Sequence, residues 1–330
     1  MQRLKRMVIA VSISLMAAGA WANNFKAADQ VYLAAMARIP INATSIFKTD
    51  VVISNLTNVA VRVDVALSEG TGGTPNAVSD ANLRLVRVLQ PFERVEISDF
   101  VQSVLGRAQA FGQAIFFACR EGGDCRNCEA NDADCRNISV EARIYTENSA
   151  GCLNNSPICT VGQLFSGVPF YNYASIEEQA SNLHRVFIVG LREFGTRATG
   201  TSPGSGFRSN IGAINASNTT STTLLLRLFR NESPAVQFGE ARVTLGPLGH
   251  TQGNVAGLFA GFTGSGFVTV EQESFTPLPG ETDAVPGFIV YGSILDNVTN
   301  DATTLAPQFY EPLDYACVYG AKPEKRLIKR

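Results

Sequence analysis

"FKTDVVISNLTN" at residues 47–58 returns without a gap as "FRSNIGAINASN" at residues 207–218. Each copy reads aromatic, basic, hydroxyl, then Asp or Asn, with a further Asn five positions on (Asp50 and Asn55; Asn210 and Asn215). The recurrence extends outward in one order. "VYLAAMAR" (31–38) is answered by "VFIVGLRE" (186–193), and "LQPFERVEISDFVQSVLG" (89–106) by "LGPLGHTQGNVAGLFAG" (245–261) with one gap. "GQAIFFA" (112–118) is answered by "GSGFVTV" (264–270), "RIYTEN" (143–148) by "GSILDN" (292–297), and "TVGQLF" (160–165) by "TLAPQF" (304–309). Matches in a shared order with similar spacing mean a tandem duplication, which accounts for a 330-residue chain.

The duplicated unit reads as β. "VAVRVDVALS" (59–68) alternates, with Val59, Val61, Val63, Val65 and Leu67 on one face and Arg62, Asp64 and Ser68 on the other. Period two with β-branched residues is a strand with one buried face. "TTLLLRLFR" (222–230) is its counterpart. Turn-rich stretches separate the strands: "SEGTGGTPN", "GTSPGSG" (200–206, a hairpin tip) and "TPLPGETD". Asp99 and Asn254 occupy the same place before an apolar run, which suits an N-cap on a short helix. The expected architecture is all-β: two tandem Ig-like antiparallel β-sandwich domains, each with a short helix in a crossover connection. The boundaries are 23–171 for the first repeat, 172–182 for a polar linker, 183–320 for the second repeat and 321–330 for a basic C-terminal tail.

The N-terminus sets the compartment. Arg3, Lys5 and Arg6 precede a short apolar run that ends in "AWA" (20–22), the pattern of a secretory signal peptide over residues 1–22. The run is shorter than the ~20 residues that a bilayer span needs, and no transmembrane segment is expected elsewhere. The protein is expected to be exported, to the periplasm, cell surface or extracellular space, and the Ala-rich signal has a bacterial look. Losing three cations and no anion leaves 24 Lys and Arg against 29 Asp and Glu, a net charge of −5. That disfavours nucleic acid as a partner, because such binding rests on concentrated positive charge.

An exported chain carrying F/W-[KR]-[ST]-[DN]-x4-N, then a strand, a Pro-containing strand end and a short helix resembles a group of secreted tandem β-sandwich modules of environmental bacteria. The resemblance covers most of the mature chain. It implies a surface or extracellular setting and no particular activity.

Four of the seven cysteines lie in "CREGGDCRNCEANDADC", at Cys119, Cys125, Cys128 and Cys135. The second repeat has no cysteine at the equivalent place. Cys152 and Cys159 bracket an insertion after the next strand. That strand, residues 138–147, spans roughly 33 Å at about 3.3 Å per residue, whereas a disulfide needs Cα atoms within ~7 Å. The expected pairing is therefore Cys152–Cys159, plus two bridges within the first group. Two arrangements keep that loop compact: Cys119–Cys135 with Cys125–Cys128, or Cys119–Cys128 with Cys125–Cys135. Cys317 is left as an unpaired or intermolecular thiol. A zinc site is disfavoured, because there is one CxxC, no nearby His and an oxidising compartment.

The two histidines, His184 and His250, have no G-x-S-x-G elbow to support a triad. "DNVTND", with Asp296, Asn297, Asn300 and Asp301, is a weak calcium candidate, and Glu129, Asp132 and Asp134 are a weaker one. Asp50, Asn210, Asn55 and Asn215 read as strand-end fixtures of the unit. No cofactor is expected. The leading functional expectation is a non-enzymatic structural or adhesive surface protein, whose partners are itself, another surface protein or a polysaccharide. The second is an extracellular carbohydrate- or ligand-binding module, with Tyr171, Tyr173, Tyr310, Tyr315 and Tyr319 as its aromatic surfaces. A secreted hydrolase is third.

Overall fold

The computed structural model describes residues 27–41, 43, 45–74, 77–79, 81–125, 135–148, 159–170, 174–175, 185–197, 204–280, 286–298 and 302–310. The signal segment, most of the linker and the basic tail lie outside the described residues. The chain is predominantly β and its pairing is antiparallel. The first half contributes β1 (Gln30–Pro40), β2 (Ser45–Asn55), β3 (Val61–Glu69), β4 (Arg84–Leu89), β5 (Arg94–Ile97), α1 (Phe100–Ser103), β6 (Ala110–Cys119), β7 (Ile138–Asn148), β8 (Cys159–Ser166) and β9 (Val168–Pro169). The second half contributes β10 (Arg185–Thr196), β11 (Ser205–Asn215), β12 (Thr220–Arg230), β13 (Val236–Leu245), β14 (His250–Asn254), α2 (Val255–Leu258), β15 (Gly264–Pro277), β16 (Phe288–Asp296), β17 (Ala302–Leu305) and β18 (Gln308–Tyr310).

The duplication is visible as topology. The first half is ordered β4-β3-β6-β1-β2-β7-β8, with β5 beside β2 and β9 beside β1. The second half repeats that order strand for strand as β13-β12-β15-β10-β11-β16-β17, with β14 beside β11 and β18 beside β10. Among the described residues, β1 meets β2 at Ile39↔Phe47 and Pro40↔Ile46 alone, and β10 meets β11 only next to their hairpin. Each sheet therefore folds over at that hairpin into two facing layers. Layer 1 holds β5, β2, β7 and β8, and layer 2 holds β4, β3, β6, β1 and β9. Layers 3 and 4 are their counterparts in the second half. Val51, Ile53 and Val140 face Leu33, Val63, Val65 and Phe116 in the first core. Ile211, Ala213 and Val290 face Leu224, Leu226 and Val268 in the second.

Most of the outer face of layer 2 is covered, although its β4 edge stays open, with Leu85 exposed. The outward residues Gln30 and Tyr32 on β1, Ala66 and Ser68 on β3, and Gln113, Ile115 and Phe117 on β6 are all buried. Across from several of them stand Ile214, Leu248, Ile289 and Tyr291, which belong to the first half's core cluster although they lie in the second half. On β16 the side chains alternate: Phe288 and Val290 face their own core, while Ile289 and Tyr291 face layer 2. The halves thus stack sheet on sheet, in a four-layer body. This corrects the solvent face expected for Asp64 and Ser68, which are buried, and the buried position expected for Val59, which is exposed ahead of β3. The alternation itself is real, but a strand's second face is dry once another sheet covers it, as at Ser68, whose Oγ donates to Leu248 O of the second half, whereas Asp64 is enclosed at the β3–β4 edge by its pairing with Arg62.

Two glycine-bearing turns lock the halves together. Gly246 N donates to Thr71 O at 2.8 Å, and His250 N donates to Gly70 O at 2.9 Å. A Cβ on Gly73 would lie 1.8 Å from Pro247 O, and one on Gly246 would lie 2.3 Å from Gly72 O. Backbones this close leave room for glycine alone. The duplicated turn has a different fate in each copy. Phe92 and Leu248 hold the same left-handed conformation, φ 57° and 53°, yet Phe92 is 70% exposed and Leu248 1%.

The repeat fixtures behave alike in both halves. Buried Asn55 donates Nδ2 to Val59 O and Gln90 O and accepts from Thr57 N. Asn215 does the same with Thr220 O, Gly246 O and Ser217 N. Each Asn ties the turn after β2 or β11 to the turn before β5 or β14. Asn254 caps α2 by accepting from Ala256 N. Asp99 holds the N-cap position of α1 without a side-chain cap, because its carboxylate pairs with Arg38 at 3.0 Å. The register of the duplication differs from the sequence matches in three places. Cross-strand partners equate Gly112 with Gly266, Arg143 with Ser293, and Leu164 with Thr304. Those matches are off by two, one and four residues. Apolar β-strands resemble one another at many offsets, and only the pairing decides.

Candidate functional site

The most strongly perturbed titratable groups meet between layers 2 and 3. Gly212, Ile214, His250, Gln252, Ile289 and Tyr291 share one face of β11, β14 and β16, as their cross-strand pairs show. A Cβ on Gly212 would sit 2.0 Å from the Tyr291 ring, so glycine lets that ring lie across the strand. Tyr291 Oη donates to Gln252 Oε1 at 3.0 Å and lies 3.1 Å from His250 Nε2. The hydroxyl's proton is committed to Gln252, so His250 is the Nε2–H tautomer and donates to Tyr291. The edge of Phe111 closes one side of the imidazole at 4.6 Å, and Phe165 stands against Tyr291 at 5.3 Å. Gln113 Nε2 reaches across to Asn215 O at 3.0 Å. Burial lowers the His250 pKa to about 4 and raises that of the Tyr291 phenol. Such shifts often mark a reactive centre. Here His250 is 1% and Tyr291 3% exposed, so no substrate reaches either, and the network glues the two halves.

Two accessible surfaces remain. A groove of about 270 Å³ lies at the β3–β4 edge, lined by Arg62, Asp64, Leu83, Leu85, Asp124 and Cys125. Arg62 grips Asp64 from two nitrogens, at 3.1 and 3.0 Å. The second surface is the β10–β11 hairpin, whose strands pair up to Thr196 opposite Ser205, while residues 200–203 of the expected hairpin tip lie outside the described residues. Phe194, 41% exposed, stands edge-on to Phe207 at 5.6 Å, and Arg192 covers the Phe207 ring at 5.2 Å. Arg208 beside them donates to Asn297 Oδ1 at 2.8 Å. Its pKa is lowered by burial and by the charge of Arg197, against the pull of Glu193.

The cysteine loop is stapled, by a different bond. Cys119 is bridged to Cys125, with Cα atoms 4.7 Å apart. Neither compact arrangement contains that pair. Cys119 ends β6, the chain reverses with Gly123 N donating to Arg120 O, and six residues suffice to bring Cys125 back. Cys135 lies beside Cys119 as a backbone bridge. Cys159 pairs with Asn148 at the opposite end of β7, which agrees with the separation of the two cysteine loops. Cys128, Cys152 and Cys317 lie outside the described residues.

In the calcium candidate, Asn297 is occupied. Its Oδ1 accepts from Arg208, its Nδ2 donates to Ser205 O at 3.0 Å, and its backbone N donates to Gly206 O at 2.9 Å. Asp296 Oδ1 accepts from Val298 N, as an Asx turn does. A guanidinium on the amide oxygen makes Asn297 a clamp on the hairpin. Asn300, Asp301, Glu129, Asp132, Asp134 and His184 lie outside the described residues, as do Tyr171, Tyr173, Tyr315 and Tyr319, while the backbone of Tyr310 ends β18. Among the described residues, no three His, Cys, Asp or Glu side chains are grouped to hold a metal.

Sequence reasoning missed Phe194 and Phe207 as surface aromatics. The "F-[KR]" start of the repeated motif was the available signal for Phe207, but a Phe at a strand start reads as core until its register is known, and Phe194, near the end of β10, had no such signal. No protein-family model matches the chain, and no curated protein matches it either.

Proposed function

We propose that the chain is an exported, non-enzymatic structural or adhesive protein of the cell surface, built as two immunoglobulin-like sandwiches that work as one rigid body. The observation that carries this is the sealed sheet-on-sheet contact between the halves. The His250–Tyr291 pair, the natural candidate for acid–base chemistry, is spent on holding two copies of the unit together. Asn55 and Asn215 are likewise committed to turns, and Asn254 to a helix cap. Duplication has here produced a stiff block, which suits a spacer or a presenter of surface loops. No helix among the described residues is long and apolar enough to cross a membrane. The N-terminal basic–apolar–small pattern supports export.

The Phe194–Phe207 pair with Arg192 favours a second reading, a ligand-binding module that meets a sugar ring or an anionic polymer at the β10–β11 hairpin. To test both, the purified chain is incubated with ester, glycoside and peptide substrates and then titrated with surface polysaccharides. Turnover that survives repurification would overturn the non-enzymatic reading. Saturable polysaccharide binding that Phe194→Ala abolishes would favour the second reading over the first.

A further inference from the structure

The sheet edges differ in how well they are protected. The edges of layers 1 and 3 lie against each other, where Thr304 Oγ1 of β17 donates to Leu164 O of β8 at 2.5 Å. β4, the edge of layer 2, is six residues long and carries Arg84 and Arg87. β13, the edge of layer 4, is ten residues long, largely exposed, and pairs among the described residues with β12 alone. Alternate N–H and C=O groups of such an edge point to open solvent and form a template for another strand.

From this edge we infer a self-association surface: β13 pairs antiparallel with β13 of a second copy about a two-fold axis at Ala241. The inference rests on the structural reading above and adds the surface and the register. The charges select the register. On the outer face of layer 4, Glu240 of β13 binds Arg227 of β12 at 3.0 Å, and Arg227 binds Glu271 of β15 at 2.6 Å. Arg242 of β13 binds Glu273 of β15 at 2.7 Å. In an antiparallel pair centred on Ala241, Glu240 of one copy stands opposite Arg242 of the other, and the reverse. Residues two apart on a strand share a face, so both contacts fall on the outer face. The ladder Glu271–Arg227–Glu240 then runs on into Arg242 and Glu273 of the second copy with its signs still alternating. Centring on Glu240 or on Arg242 instead sets like charges opposite each other. Inner-face Ala241 and Val243 are small enough for the partner strand to approach. A two-fold axis closes the contact as a dimer.

The test uses charge reversal on the full mature chain, with size-exclusion light scattering over a concentration series. Wild type is expected to dimerise. Glu240→Arg alone and Arg242→Glu alone each turn two attractive cross-copy pairs repulsive, so each is expected to dimerise at least about tenfold more weakly. In an equimolar mixture, a copy carrying two arginines at these positions meets a copy carrying two glutamates, and the dimer is expected to recover. Thermal melts confirm that each variant is folded despite its altered internal ion pairs. A wild type that stays monomeric throughout overturns the inference. So does a dimer that both variants leave intact, whether non-covalent or reductant-sensitive on a gel. The second result would keep the assembly reading and discard only this edge. The substrate and polysaccharide assays judge the functional reading separately.

Discussion

Replacing His250 by Gln removes one titrating group from the contact between the halves and leaves a polar side chain of similar reach. The neutral imidazole is held as Nε2–H by the chain to Tyr291 and Gln252, and Nδ1 has no hydrogen-bond partner among the described residues. Protonating Nδ1 would put a charged N–H between two sheets with nothing to accept it. Burial accordingly lowers the pKa from 6.5 to about 4. The sign follows from linkage: the unfolded ring takes a proton at higher pH than the folded one, so stability is complete above about pH 6.5 and falls as pH drops toward 4, then levels off. The gap between the two values is worth about 3 kcal/mol in all, and about 2.5 kcal/mol of it is gone by about pH 4.5. Urea unfolding of wild type and His250→Gln at about pH 7.5 and 4.5 reads it directly. Carboxylates titrate alike in both proteins and cancel in the comparison. Wild type should lose about 2.5 kcal/mol more than the variant over that window. Equal losses would refute the sealed, neutral histidine.

Gly212→Ala drives a methyl group into the Tyr291 ring, whose hydroxyl is bonded at both neighbours, and should cost about 1–3 kcal/mol as overpacking; an unchanged melting temperature would count against the ring's placement. Asn215→Ala leaves two turn carbonyls without their donor and should cost about 1–3 kcal/mol, with Asn55→Ala similar, and a near-neutral effect at either site would show that water replaces the amide. Non-reducing peptide mapping should recover Cys119 linked to Cys125, and Cys119 linked to Cys128 or Cys135 would contradict the fold of the loop. Replacing both Cys119 and Cys125 with Ser opens a short loop and should cost about 2 kcal/mol by the chain-entropy relation.

Much of the architecture was legible because the chain states it twice. The motif around Asp50 and Asn55 recurs at Asn210 and Asn215, and the same amide bonds appear in both copies. The alternation in β3 was readable because side-chain direction is a local property of an extended backbone. The slipped alignments at Gly112, Arg143 and Leu164 had no local remedy. Register is a property of two strands, and neighbouring apolar residues satisfy several offsets almost equally. The Cys119–Cys125 bridge was missed for a related reason. Sequence spacing bounds which cysteines can meet, while the turn at residues 120–123 decides which do.

Composition and pattern were enough to establish an all-β duplicated chain with turn fixtures, since these rest on contacts within a few residues or on a period along one strand. Tertiary structure alone decided which faces are dry. Nothing near Ser68, Gln113 or His250 in the sequence says that another sheet will cover them, and the matching turns at Phe92 and Leu248 end one in solvent and one in the core. Burial depends on what the rest of the chain places against a residue, so the same local signal leads to a solvated surface in one half and a sealed joint in the other.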